Sequence, residues 1–252
     1  MKRALFALAA FLFQLPLTAN AAEILVMSGG APKDVLLTLV PQFEKLTGHH
    51  VTTQHVLVSA LRQKILAGET ADVLLMPTSV LDNLASVRKI RPEERAAFGI
   101  LKLVAIVKDG APLPDISSVD AFRRALVEAP SVVYSTPAST PSGAHMASTV
   151  SQLGISDIVE RKVTYRPALE GGVNMVAEGR ATIGIYPASE VVHVDGIASL
   201  GPLPEQLQLT LVYGGAVATT SKAPEPAREL IRFLGAPQNR AVWRHEGFEI
   251  PH

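Results

Sequence analysis

The 252-residue sequence contains no cysteine. That excludes a disulfide framework, a thiolate metal site and a cysteine nucleophile, and it leaves stability to packing. Charge of one sign is also lacking: 23 Lys and Arg stand against 23 Asp and Glu, for a formal charge of zero. With no block of like charge, the chain has no surface for nucleic acid, because neutralising phosphates takes clustered Lys and Arg. No apolar run beyond the first residues is long enough to cross a bilayer, which takes roughly 20 residues as a helix. Repeats and low-complexity tracts are missing. So are a Gly-x-Ser-x-Gly elbow, a phosphate-binding Walker loop and a dinucleotide fingerprint. No two histidines fall at i, i+4 and no His-Glu group has zinc spacing, so no metal site is expected.

What is present begins with export. Lys2 and Arg3 precede an apolar run from Ala4 to Leu17, and Ala19-Asn20-Ala21 supplies small residues before Glu23. That order predicts a cleavable signal peptide over 1–22, and hence a mature chain in the periplasm with no membrane anchor. Without Lys2 and Arg3, 21 basic residues face 23 acidic ones, a formal charge of -2. The remaining 230 or so residues suffice for two lobes of roughly 100 each.

Along the mature chain, short aliphatic runs alternate with helical patterns, which is the α/β signature. Ile24 to Met27 reads as a strand and Pro32 to Thr47 as a helix, with Val35, Leu39 and Phe43 on one stripe and Gly48 as its stop. Pro41 should kink that helix. Val51 to Val56, Ala71 to Met76, Ser131 to Ser135 and Thr182 to Tyr186 read as further strands. Helices are expected over Ser59 to Ala67, Ser79 to Val87, His145 to Leu153 and Gly171 to Glu178. The apolar segments Leu101 to Val107 and Leu209 to Ala218 flank the central block. They suit two connecting strands between a first lobe, 23–101 plus 212–252, and a second, 102–211.

Four strand-to-helix junctions carry small polar residues: Ser28-Gly29-Gly30-Ala31-Pro32-Lys33, Val58-Ser59-Ala60, Thr140-Pro141-Ser142-Gly143 and Glu170-Gly171-Gly172. Each can be no more than a helix cap. Together, several helix N-termini converging at the carboxyl ends of strands make an anion cleft. Lys33 is either a solvated cation or a counter-charge to a bound anion, since a cation in a first turn opposes the helix dipole. His145 is either a surface histidine or a group facing the ligand.

These loops, with the stretches LVPQFEKLTGHHV, RQKILAGETADVLL, TPSGAHMA, EGRATIGIYPASEV and FLGAPQNRAVWRHEGFEIP, resemble the periplasmic molybdate-binding proteins of ABC transporters. The resemblance implies a two-lobed type II periplasmic binding protein fold with a ligand cleft between the lobes. It implies a monomer that captures a small anion, an oxyanion or an organic carboxylate, and passes it to an ABC permease. Carried over by motif, the family's second-loop serine falls on Ser59 and its Pro-x-Gly residue on Ser142; with the other loop residues the ligand-binding candidates are Ser28, Gly29, Lys33, Ser59, Ser142, Gly143, Gly171 and Tyr186. Two of the family's hydroxyl donors are missing, because they fall on Ala31 and on Pro187, the residue after Tyr186. A site of this kind suits a carboxylate better than a metal oxyanion. An exported aconitate isomerase is similar to the same family and needs no cofactor. The alternative function is therefore interconversion of trans- and cis-aconitate by allylic proton transfer, with His145 as base and Lys33, Ser59 and Ser142 as anchors.

Overall fold

The computed structural model describes residues 21–250, so the expected leader, 1–22, falls almost wholly outside the described residues. From the first strand the elements run β1 (Glu23–Ser28), α1 (Lys33–Thr47), β2 (His50–His55), α2 (Val58–Leu66), β3 (Val73–Pro77), α3 (Thr78–Ser86) and β4 (Ile90–Lys108). They continue with α4 (Val119–Glu128), β5 (Val132–Tyr134), α5 (Pro141–Gln152), α6 (Ser156–Glu160), β6 (Val163–Tyr165), α7 (Gly172–Ala177) and β7 (Ile183–Pro187). The last are β8 (Ile197–Pro202), β9 (Thr210–Ala218), α8 (Pro224–Leu234) and α9 (Arg240–His245).

Helix α1 shows how the sequence writes these elements. It buries Val35, Leu36, Leu39, Val40 and Phe43 on one face. It ends at Gly48, whose left-handed backbone (φ 74°) lets its N–H reach the Glu44 carbonyl at 2.8 Å. Pro41 does not break it; the ring faces solvent and the helix runs through to Thr47. The cost is confined to one missing backbone hydrogen bond.

The strands lie in the order β2-β1-β3-β9-β4-β7-β5-β6, with β8 also paired to β4. Strands β1, β2 and β3 are mutually parallel, as are β5, β6 and β7, while β9 and β4 run antiparallel to their neighbours. Strand β4 is shared: it pairs with β9 as far as Lys102, opposite Thr210, and with β7 from Leu103, opposite Pro187. Two lobes result, joined by the long strands β4 and β9. In lobe 1 one sheet face packs on α1, α8 and α9 through Phe43, Phe98, Leu230 and Trp243, and the other packs on α2 and α3 through Met27, Leu61, Met76 and Leu81. Lobe 2 has the same two-sided build, with Phe122, Tyr134 and Met146 on one face and Val173, Val176 and Tyr186 on the other. Sheets covered on both faces need continuous apolar strands, and β3 and β7 are buried at every residue.

Two elements differ from their sequence expectation. Strand β4 is 19 residues long, and the apolar segment Leu101–Val107 is only its later part. Its start is masked in the sequence by Arg91, Glu93, Glu94 and Arg95; Glu94 is held there by Arg228 of α8 at 2.7 Å. Helix α5 begins at Pro141, not at His145. Thr140 caps it by accepting the Gly143 N–H at 3.0 Å, and Pro141 fits the first turn because its missing N–H has no helical partner to lose.

Candidate functional site

The carboxyl ends of the parallel strands from both lobes meet at one cleft, where open α/β sheets place ligands. Lobe 1 contributes Gly30 from the loop after β1, Leu57 and Val58 at the start of α2, and Leu211 and Tyr213 from β9. Lobe 2 contributes Ser135, Thr140, Pro141 and Ser142 around the start of α5, then Pro167, Ala168, Leu169, Pro187 and Glu190. The lobes are closed on each other. About 20 Å³ remains accessible inside, room for about one water molecule, so a ligand enters only when the lobes open. The Ser59 N–H donates across the gap to the Ser139 carbonyl at 3.3 Å. Gly30 is pressed so closely on lobe 2 that a Cβ there would stand 2.9 Å from Leu169 Cγ and 3.2 Å from Glu190 Oε1.

Glu190 is the acidic side chain that lines this cleft. It ends the short 3-10 turn Ala188–Glu190 that follows β7. Burial alone pushes its carboxyl from an ordinary 4.5 up to about 7. A carboxyl lifted this far is close to half ionised at neutral pH and can both take and return a proton. Tyr213 reaches the same space from lobe 1; its side chain is buried beside Gly29, with the phenol oxygen 3.4 Å from where a Gly29 Cβ would lie. Burial, and then the charge of Glu190, raise the Tyr213 phenol well above its usual range. It therefore stays protonated as a hydrogen-bond donor. His55, paired with Ser28 in the β1–β2 register, stands behind the same loop. Burial lowers its pKa, partly offset by a backbone hydrogen bond at Gly29, and its Nδ1 is buried without a partner among the described residues.

The residues singled out from the sequence are distributed unevenly around this geometry. Ser142 lines the cleft, with its Oγ 3.1 Å from Thr140 Oγ1. Gly143 follows it in the first turn of α5, but its N–H is taken by the Thr140 cap. Ser28 is fully buried and donates to the Gly29 carbonyl at 2.8 Å, so its hydroxyl is spent on shaping the loop. Gly29 backs onto Tyr213, and the Ser59 N–H is occupied by Ser139. Gly171 forms the left-handed start of α7. Tyr186 is buried behind the cleft and donates to the Arg166 carbonyl at 2.8 Å, pinning the 166–172 loop. Lys33 is exposed and His145 is turned to the Leu207 carbonyl at 2.8 Å; neither is among the cleft-lining residues. Glu190 and Tyr213 had not been singled out. Position alone signals Glu190, an acid placed just past the carboxyl end of a strand.

A roomier groove of about 540 Å³ runs past Glu23, Asp72 and Lys222. It sits at the amino end of β1, the opposite end from the ligand crevice. Its buried carboxylate, Asp72, is spent on structure: it accepts from the Leu25, Lys222 and Ala223 N–H groups and the Ser221 hydroxyl at 2.7–3.2 Å.

Known proteins align with the chain as a whole. Residues 24–249 match the family model described as bacterial extracellular solute-binding protein. An aconitate isomerase from a Pseudomonas species is 32% identical over 84% of this chain and 81% of its own. The molybdate-binding protein of Azotobacter vinelandii is 24% identical over 92% of both. The solved structure of the Azotobacter vinelandii periplasmic molybdate-binding protein superposes with a TM-score of 0.75, covering 91% of this chain and all of that one, at 17% identity in the structural alignment. The fold is thus the α/β periplasmic binding protein fold. Among the described residues no helix is long and apolar enough to cross a membrane.

Proposed function

The chain belongs to the bacterial extracellular solute-binding protein family, and on that premise we propose that it is a periplasmic isomerase that moves a carbon–carbon double bond in an aconitate-like tricarboxylate. The observation that carries this reading is Glu190, a carboxyl held near pKa 7 inside the closing cleft. Ionised, it takes the allylic proton of the substrate. The electron pair left behind delocalises into a dienolate, and the Glu190 carboxyl returns the same proton two carbons away, so the double bond shifts with no redox change. The dienolate needs positive potential, which the N-termini of α2 and α5 and the Tyr213 phenol supply from both sides. Closure excludes water from the intermediate. The 32% identity to an aconitate isomerase over most of both chains supports the same assignment.

Capture of a small anion for an ABC importer is the second reading, favoured by the helix N-termini at the cleft and by the molybdate-binding relative. An ultraviolet assay with the purified protein decides between them: trans-aconitate should convert to cis-aconitate, and Glu190→Gln should slow turnover by a factor on the order of 10²–10⁴. No turnover, together with a thermal shift by molybdate, would return the protein to the binders.

A further inference from the structure

We propose that His193, His245 and Glu246 form a divalent transition-metal site that clamps the two lobes together. The three come from opposite sides of the hinge. His193 lies on the connection between β7 and β8 of lobe 2, whereas His245 ends α9 and Glu246 follows it, both anchored to lobe 1 by Trp243 in its core. Glu246 Oε2 is 2.5 Å from His193 Nε2 and its Oε1 is 3.0 Å from His245 Nδ1. The imidazole centroids are 5.1 Å apart with their planes 31° from parallel. One ligand atom from each residue lies within 4.8 Å of the other two.

The spacing of these residues in the sequence carries no metal signature, since 52 positions separate the two histidines; the fold alone brings them together. A tight contact between the lobes sets the place. Gly247 adopts φ +81°, and a Cβ on it would stand 2.8 Å from the Ser189 backbone nitrogen, so the two segments touch through backbone. The Glu246 side chain is only 7% exposed, which makes its charge costly without positive partners. The imidazoles are 43% and 72% exposed, free to adjust their rotamers and to leave further coordination positions to water.

Two imidazole nitrogens and a carboxylate are the ligands of zinc, nickel or copper; calcium and magnesium prefer oxygen alone. Because the ligands are divided between lobes, the ion binds the closed form and not the open one, so metal and closure favour each other. The clamp also fixes the connection that carries Glu190, three residues before His193.

Calorimetric titration of the chelator-treated protein with zinc chloride tests the site. One equivalent should bind and raise the melting temperature. His193→Ala should weaken that binding at least tenfold and abolish the shift. His50→Ala, which removes the separate His50–Glu44 pair (2.9 Å), should change neither. His193 is exposed enough for its variant to fold, which circular dichroism would verify. Absence of stoichiometric binding, or binding that survives His193→Ala, would overturn the site and leave the cluster a plain histidine–carboxylate contact.

Discussion

Asp72 is buried at the base of lobe 1 and Glu190 is half-buried in the cleft, and the protein treats these two carboxyl groups in opposite ways. Asp72 ties the start of β1 to the turn before α8, with four donors pointed at its two oxygens. Glu190 receives burial and no compensating donor among the described residues, so its charge is disfavoured and its proton held up to neutral pH. A carboxylate whose acceptor sites are all filled has nothing left for a substrate. An under-satisfied one stores energy that only a ligand or a proton can release, and this difference separates structural from reactive acids more sharply than burial does.

The comparison breaks first at Asp72. Removing it in Asp72→Ala leaves the Leu25 and Lys222 N–H groups and the Ser221 hydroxyl short of an acceptor, while the Ala223 N–H keeps Ser221 Oγ, and should cost about 3 kcal/mol, taking each orphan at roughly 1 kcal/mol. Urea unfolding reads this directly, and a loss under 1 kcal/mol would mean that water replaces the carboxylate. Glu190 should behave in reverse. Below pH 4.5 both folded and unfolded states keep its proton and no penalty arises. As pH climbs from 4.5 to about 7 the unfolded carboxyl ionises first, so stability is lost, and the loss levels off above 7. Glu190→Gln removes that term and should stabilise the protein at pH 8 by up to about 3 kcal/mol, with no gain at pH 4. A variant equally stable to wild type at pH 8 would place the carboxyl in a wetter setting. Under the proposed chemistry the wild-type rate should rise with pH to a plateau above about 7, as the base form fills.

Tyr213 sharpens the contrast from the lobe 1 side. Its phenol can donate to a developing dienolate, and Tyr213→Phe keeps the packing against Phe248 while removing the donor. Turnover should fall about tenfold, the equivalent of roughly 1.4 kcal/mol, while the melting temperature stays within 2–4 °C. A drop in stability with turnover unchanged would make the hydroxyl structural.

The fold was legible where local chemistry and tertiary placement agree. The stripe of α1 and its glycine stop, the alternation of strands and helices, and the small residues at strand ends all follow from periods and caps that a linear sequence displays. The site was legible only in its frame. Ser142 and the loops around Ser28 and Ser59 could be found because helix N-termini announce themselves. Glu190 could not, since its character comes from lobe 1 closing over it, and Tyr213 is a single polar tip in an apolar strand. The His193–Glu246 contact has the same cause: its members lie 53 residues apart.

The smallest effect is expected at His145, and it tests the whole arrangement. From its place at the start of a helix this histidine reads as a proton carrier, but Nε2 lies 2.8 Å from the Leu207 carbonyl, on the face of α5 that packs within lobe 2. Nε2 next to that carbonyl carries the proton and donates there, which leaves Nδ1 as the ring's acceptor, but the residue is not among those lining the cleft. To reach the cleft the ring would have to abandon that bond. His145→Ala should therefore leave turnover within about twofold and cost on the order of 1 kcal/mol, the net worth of one hydrogen bond. Should it instead abolish turnover while Glu190→Gln does not, the base sits on α5, and the raised carboxyl is a strained element of closure instead of the seat of the chemistry.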